Sequence, residues 1–251
     1  MIHRVLFAAI IAGLIGGVFV SFAQMVKVEP LILQAEEYEA VEEPEVASVQ
    51  AAGAATAADT ASEHSHGGGA AAGDGHHDAE AWGPDDGLER RLFTVGSNII
   101  TGVGFALLLC AGIVLRGREV DYKTGILWGL SGFLVFSLLP AIGLPPELPG
   151  VEAAGVESRQ AWWFLTVGCS AIGLALIIFK EAWAFRVLGI VFIIAPHAIG
   201  APHPAEFGGN VPPAMAAQFA VVSLVTTALF WVVVGGVSGY VFQRQQAADP
   251  V

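Results

Sequence analysis

The chain has 251 residues, of which 55% are hydrophobic and only 14% charged, and its mean hydropathy is +0.65. A soluble domain carries about 25% charged residues, so this deficit excludes an ordinary soluble domain and points to a membrane. The net charge of −12 excludes the basic stripe that nucleic acid requires; it suits cations, provided the negative charge sits where cations arrive.

In chain order, the first feature is an apolar run over residues 5–25. It is long enough for a bilayer core, which needs about 20 residues of helix. Ser21-Phe22-Ala23 offers a small-x-small site at which a signal peptide could be cleaved. The run is longer than the apolar core of a usual signal peptide, and a single arginine, Arg4, precedes it. A retained helix is therefore expected; cleavage would leave one span fewer.

Residues 27–91 form the one extended polar region. It opens on Glu36, Glu37, Glu39, Glu42, Glu43 and Glu45, then turns rich in Ala, Gly, Thr and Ser over residues 46–62. Such a composition cannot bury enough apolar surface to offset ordering entropy, so disorder is expected. Within it lie Glu63, His64, His66, His76, His77 and Asp78, with Asp74 and Glu80 alongside, and these hold four of the seven histidines.

Neutral imidazole suits cobalt, nickel, copper and zinc, and carboxylates add hard oxygen ligands. The Gly/Ala linker between the H-x-H pair and the H-H-D group lets both fold around one ion. Ordering such a loop consumes part of the binding energy, so modest affinity and ready release are expected. Nitrogen–oxygen sites follow the Irving–Williams order, so these residues indicate a divalent transition metal without choosing one. The plain alternative is a solvated polar loop. Trp82 reads as an interfacial anchor before the next span, and Pro84 to Gly87 as a turn.

Five further apolar segments follow, over residues 92–115, 124–143, 161–179, 187–200 and 215–242, the fourth of them short. The expected fold class is all-α, a polytopic membrane helix bundle of six spans. Its expected parts are a first helix (1–26), an acidic His-rich loop (27–91) and a five-helix membrane domain (92–251). Cys110 and Cys169 fall inside apolar segments and read as buried small side chains rather than a disulfide.

A hairpin topology collects Arg4, Arg116, Arg118, Lys123, Lys180, Arg186 and Arg244 on one side and leaves Lys27, Arg90, Arg91 and Arg159 on the other. The positive-inside rule places the first side in the cytoplasm. Both termini should then be cytoplasmic and residues 27–91 periplasmic, in a bacterial inner membrane. Every acidic residue except Glu119, Asp121, Glu181 and Asp249 falls on the outer side. Acids contribute little to topology, so this segregation speaks to function separately.

The third and fifth spans end alike, with Pro140-Ala141-Ile142-Gly143-Leu144-Pro145 and His197-Ala198-Ile199-Gly200-Ala201-Pro202. Proline removes a backbone donor and breaks a helix, and paired Gly/Pro interruptions point to a transport site. An outward vestibule built by these two broken ends is expected. His197 and His203 lie in the second, so both are candidate metal ligands; the plain reading of His197 is an interfacial histidine bonded to backbone. Met25 and Met215 read as packing. Most serines and threonines within spans should bond their own helix or a neighbour.

No G-x-x-x-x-G-K-[ST] loop is present, so the chain should not hydrolyse ATP by that device. The inner loops are too short for a catalytic domain; an enzyme is not expected, nor a prosthetic group. An inside-negative potential already favours inward movement of a dication, by about 4.6 kcal/mol per 100 mV.

Several stretches together resemble one family: the first span, the acidic E-H-x-H loop, W-x-P-x-D-G-x-E-R at Trp82 to Arg90, and P-H-x-I-G-A-P-H-P with V-P-P-A-M-A-A-Q-F-A near the end. Nearly the whole chain resembles the CbtA family of predicted cobalt transporter subunits. The resemblance implies Co2+ as the transported ion, with Ni2+ the nearest rival. It also implies a link to cobalamin synthesis and a small one-span, histidine-rich partner, CbtB. His64 and His66 match that family's histidine loop, and His197 and Pro202 its last segment. The family is usually described with five spans. The competing reading is a membrane-anchored accessory protein that hands metal to another transporter.

Overall fold

The structure, a computed structural model, describes residues 2–38, 87–205 and 208–248. Helix α1 is Ile2–Lys27, α2 covers residues 29–38, α3 is Leu88–Arg116 and α4 is Tyr122–Phe133. A π-helical turn, Leu134–Leu138, leads into α5, Leu139–Gly143. Then come α6, Val156–Phe179, α7, Trp183–Ile199, and α8, Pro213–Ala248. Among the described residues the only β pairing is a single bridge, Val151 to Gly209.

Five helical stretches are long and apolar enough to cross a membrane: α1, α3, the run Tyr122–Gly143, α6 and α8. The chain is an all-α, multi-pass membrane bundle. The expected short span near residues 187–200 is α7, apolar but only 17 residues long. At 1.5 Å per residue it reaches about 25 Å, less than the roughly 30 Å hydrocarbon core.

Large apolar side chains such as Ile100, Leu115, Leu127, Phe164 and Ile194 face outward. Lipid tails are as apolar as leucine, so burial does not drive these helices together; close backbone approach at small residues does. Three pairs show it. A β-carbon on Gly13 of α1 would collide with the Val103 backbone of α3. One on Gly125 or Gly129 of α4 would collide with the carbonyl oxygens of Gly235 or Trp231 in α8. In α6 and α7, a β-carbon on Gly173 or Gly189 would sit 2.5 Å from the other's carbonyl oxygen. α1 also packs along α8, where a β-carbon on Gly16 would sit 2.5 Å from Val234. Helices α1, α3, α4 and α8 thus form one four-helix unit around Ala12, Ala106, Trp231 and Val234.

Several polar residues follow the expected pattern, while the Ser170 and Ser223 hydroxyls are buried with no hydrogen-bond partner among the described residues. The hydroxyls of Thr94, Ser131, Thr166 and Thr227 donate to carbonyls three or four residues earlier in their own helices. Asn98 bridges α3 to α1, donating to Ser21 Oγ at 3.0 Å and Gln24 Oε1 at 2.7 Å. Asp121 caps α4 by accepting from the Thr124 amide, and the Thr124 side chain and backbone hold its carboxyl below the usual range. Cys110 and Cys169 are free.

Composition assigns residues 29–38 to the polar loop, but they are helical. Val28, Leu31, Ile32 and Ala35 recur at helical spacing and pack on Leu148, Val211 and Phe219, so this short helix buries one apolar stripe against the loops and the start of α8. Its acids meet the start of α3: Glu29 pairs with Arg91 at 3.0 Å and Glu36 with Arg90 at 2.9 Å. Both anchored ends of the loop therefore sit at one end of the bundle, the acid-rich end. Arg116, Asp121 and Phe179 mark the opposite, basic end.

Candidate functional site

Pro140 cannot donate to the turn behind it. The chain accommodates this with the π-turn, in which the Leu139 amide bonds the Leu134 carbonyl. π-Turns inside helices recur at functional sites. The helix does not stop at the proline but continues to Gly143. Likewise α7 carries Pro196 within it and ends at Ile199, where Gly200 takes φ +93°. Both helices thus run three residues past the proline, to the ends expected near residues 143 and 200, and the connecting loops begin there.

The two copies of A-I-G come together. A β-carbon on Gly143 would lie 2.8 Å from the Ala201 side chain and 2.5 Å from the Trp162 indole. Trp162 joins them: its Nε1–H donates to the Pro196 carbonyl at 3.3 Å, and its ring meets His197 edge-on at 5.7 Å. Trp162, Thr166, Ser170 and Gly173 are the buried face of α6, a run of four residues at helical spacing that turns toward α7. The loops beyond are stitched by Val151 and Gly209 and by the Glu152 amide on the Gly208 carbonyl.

Beside this junction lies a cavity of about 710 Å³ lined by Ser137, Pro140, Glu147, Arg159, Gln160 and Thr227 among others. It is the more polar of the two main cavities. Glu147 and Arg159 pair across it at 2.8 Å, both partly exposed. Below it Phe136 stacks on Trp231 with centroids 5.7 Å apart, Trp163 meets Phe136 at a tilt 6.4 Å away, and Phe105 closes on both Phe136 and Trp231. This aromatic layer separates the polar cavity from an apolar one of about 680 Å³ toward the basic end.

The sequence-derived candidates distribute as follows. Glu63, His64, His66, His76, His77 and Asp78 lie outside the described residues. His197 is half-buried at the end of α7, and its Nε2 is buried with no hydrogen-bond partner among the described residues. His203 is exposed, with Nδ1 3.3 Å from the Pro204 carbonyl. Neither histidine lines the polar cavity; the first A-I-G segment does, and the second abuts it through Trp162 and Ala201. Among the described residues no three of His, Cys, Asp or Glu gather where a metal could sit.

Sequence reasoning missed Glu147 and Arg159 as cavity residues and Trp162 as the link. The spacing of Trp162, Thr166, Ser170 and Gly173 was a readable signal for that face. Nothing in sequence signalled the Glu147–Arg159 pairing.

A family model described as "Probable cobalt transporter subunit (CbtA)" matches residues 2–243. No curated protein and no solved structure matches the chain.

Proposed function

The chain belongs to the CbtA family of probable cobalt transporter subunits, and from that premise we propose that it takes up cobalt by capturing the ion on an outer loop and passing it to the polar cavity. Cobalt is the cargo, and nickel is the rival the same ligands would accept. One observation carries the route: both anchored ends of the loop lie at the acid-rich end of the bundle, where the polar cavity also sits. Glu63, His64, His66, His76, His77 and Asp78 hold the ion first. The cavity, where Glu147 offers a carboxylate, receives it.

His197 acts at the junction of the two A-I-G segments, since neutral imidazole with a free ring nitrogen is a cobalt ligand. His203, on the loop just after α7, is an outer relay. The chain lies in a bacterial inner membrane with both termini cytoplasmic and the loop periplasmic, so the membrane potential draws the dication inward. A subunit implies a partner, and a CbtB-like one-span, histidine-rich chain fits that place.

A second reading has a specific observation in its favour. Below the aromatic layer the interior is apolar, as expected if this chain hands metal to a neighbour rather than conducting it alone. Radioactive cobalt uptake into vesicles separates the readings. With the chain and its partner, uptake should fall severalfold on deleting residues 62–80 and on His197→Ala. Undiminished uptake after the deletion removes the loop from the route, and cobalt binding by the chain without uptake in any combination leaves the accessory reading.

A further inference from the structure

We propose that the apolar cavity is a binding groove for one acyl chain of an anionic phospholipid, whose phosphate is held by Arg116. The cavity, about 680 Å³, lies between α3, α4 and α6 and is walled by Leu108, Leu127, Trp128, Leu174, Ile178 and Trp231. It holds few polar side chains, and Arg116 is the one that carries a charge. The Ser131 hydroxyl donates to the Leu127 carbonyl, and Thr124 meets Asp121 at the start of α4. Arg116 remains, at the mouth. Such walls would cost a bare dication several kcal/mol in lost hydration, so the groove does not suit the cobalt ion; its occupant is apolar.

Length decides which apolar occupant. Along α4 and into the π-turn the lining runs from Thr124 at the basic end to Phe136, where Phe136 stacked on Trp231 closes it. Twelve residues of helix rise about 18 Å, close to one leaflet of a core roughly 30 Å thick. A spanning helix from a partner or a second copy needs the full thickness. An acyl chain of one leaflet does not.

Charge decides the headgroup. The Arg116 guanidinium lies 4.7 Å from the centre of the Phe179 ring, at the rim of the groove, and among the described residues no carboxylate pairs with it. At the acid-rich end, by contrast, Arg90, Arg91 and Arg159 each hold a glutamate. A planar guanidinium left unneutralised at the interface matches a phosphate, and basic pockets between membrane helices are where anionic headgroups settle.

Native mass spectrometry of the purified full chain, exchanged into phosphatidylglycerol or phosphatidylcholine of the same acyl composition, tests this without reference to metal transport. The wild type should retain phosphatidylglycerol over phosphatidylcholine by about tenfold, because both offer a phosphate but choline's own cation offsets it and opposes Arg116, weakening the charge-assisted bond. Arg116→Gln should bring that ratio to about one, and Ala175→Trp, which fills the groove, should lower retention of both lipids. Equal retention by the wild type overturns the proposal, as does an unchanged preference in Arg116→Gln or unchanged retention in Ala175→Trp. So does a photocrosslinker at Leu127 that captures a second copy of the chain instead of lipid.

Discussion

Gly125 and Gly129 of α4 lie against the α8 backbone over successive turns, whereas Gly173 of α6 meets α7 at a single crossing, Gly189. The first arrangement locks two helices along their length, and α1 and α3 are locked on in the same way. The second joins α6 and α7 to each other but leaves the hairpin attached to the remainder chiefly through the π-turn and α5. In lipid, where close packing replaces the hydrophobic drive, a seam without glycines set against a facing helix backbone stays open. Both cavities and the aromatic layer between them occupy that seam.

The sharpest way to break the comparison is to overfill the locked unit. Gly129→Val places a branched side chain against the Trp231 carbonyl. Overpacking costs about 1–3 kcal/mol, and rigid backbone on the far side sets the expectation at the top of that range or above. A denaturant titration in detergent should show most of the folded population lost. Gly168→Ala, with nothing within 4 Å of the added carbon, should leave the midpoint unchanged or slightly raised.

Next in size is Trp162→Ala, which removes the link between the two A-I-G segments. Deleting a buried tryptophan costs about 3–5 kcal/mol in a soluble core, and the lower end is expected here. The loss should be local: hydrogen exchange should quicken in α6 and α7 while α4 and α8 keep their protection. Equal quickening in all four would erase the distinction between unit and hairpin. The smallest effect falls inside the unit. Asn98→Ala breaks the bridge to Ser21 and Gln24, and interhelical hydrogen bonds in membranes average about 0.6 kcal/mol. A shift of that size in the same titration would confirm that glycine contact, not polar bonding, holds α1 to α3.

Much of this was legible in the residues. Apolar runs of spanning length located the helices to within a few positions, because lipid imposes length and polarity on each span independently. The pairing of the two A-I-G segments was legible as a repeat, and they do meet at Gly143 and Ala201. Other features were not. The helix over residues 29–38 was hidden by its glutamates, although Val28, Leu31, Ile32 and Ala35 carry its stripe. The π-turn was illegible because Pro140 alone does not say whether a helix ends or adjusts; packing of Phe136 on Trp231 and Trp163 accompanies the second outcome.

The sequence by itself determined where the long apolar runs fall and that this chain crosses a membrane several times. Those facts are set residue by residue, by the cost of each group in hydrocarbon. Only the tertiary structure decided which helices lock and which leave a seam, that Trp162 ties the two proline-bearing ends, and that Glu147 faces Arg159 across a cavity. Such outcomes depend on distances between residues far apart in the chain, and a contact of 2.8 Å leaves no mark on either partner's local sequence.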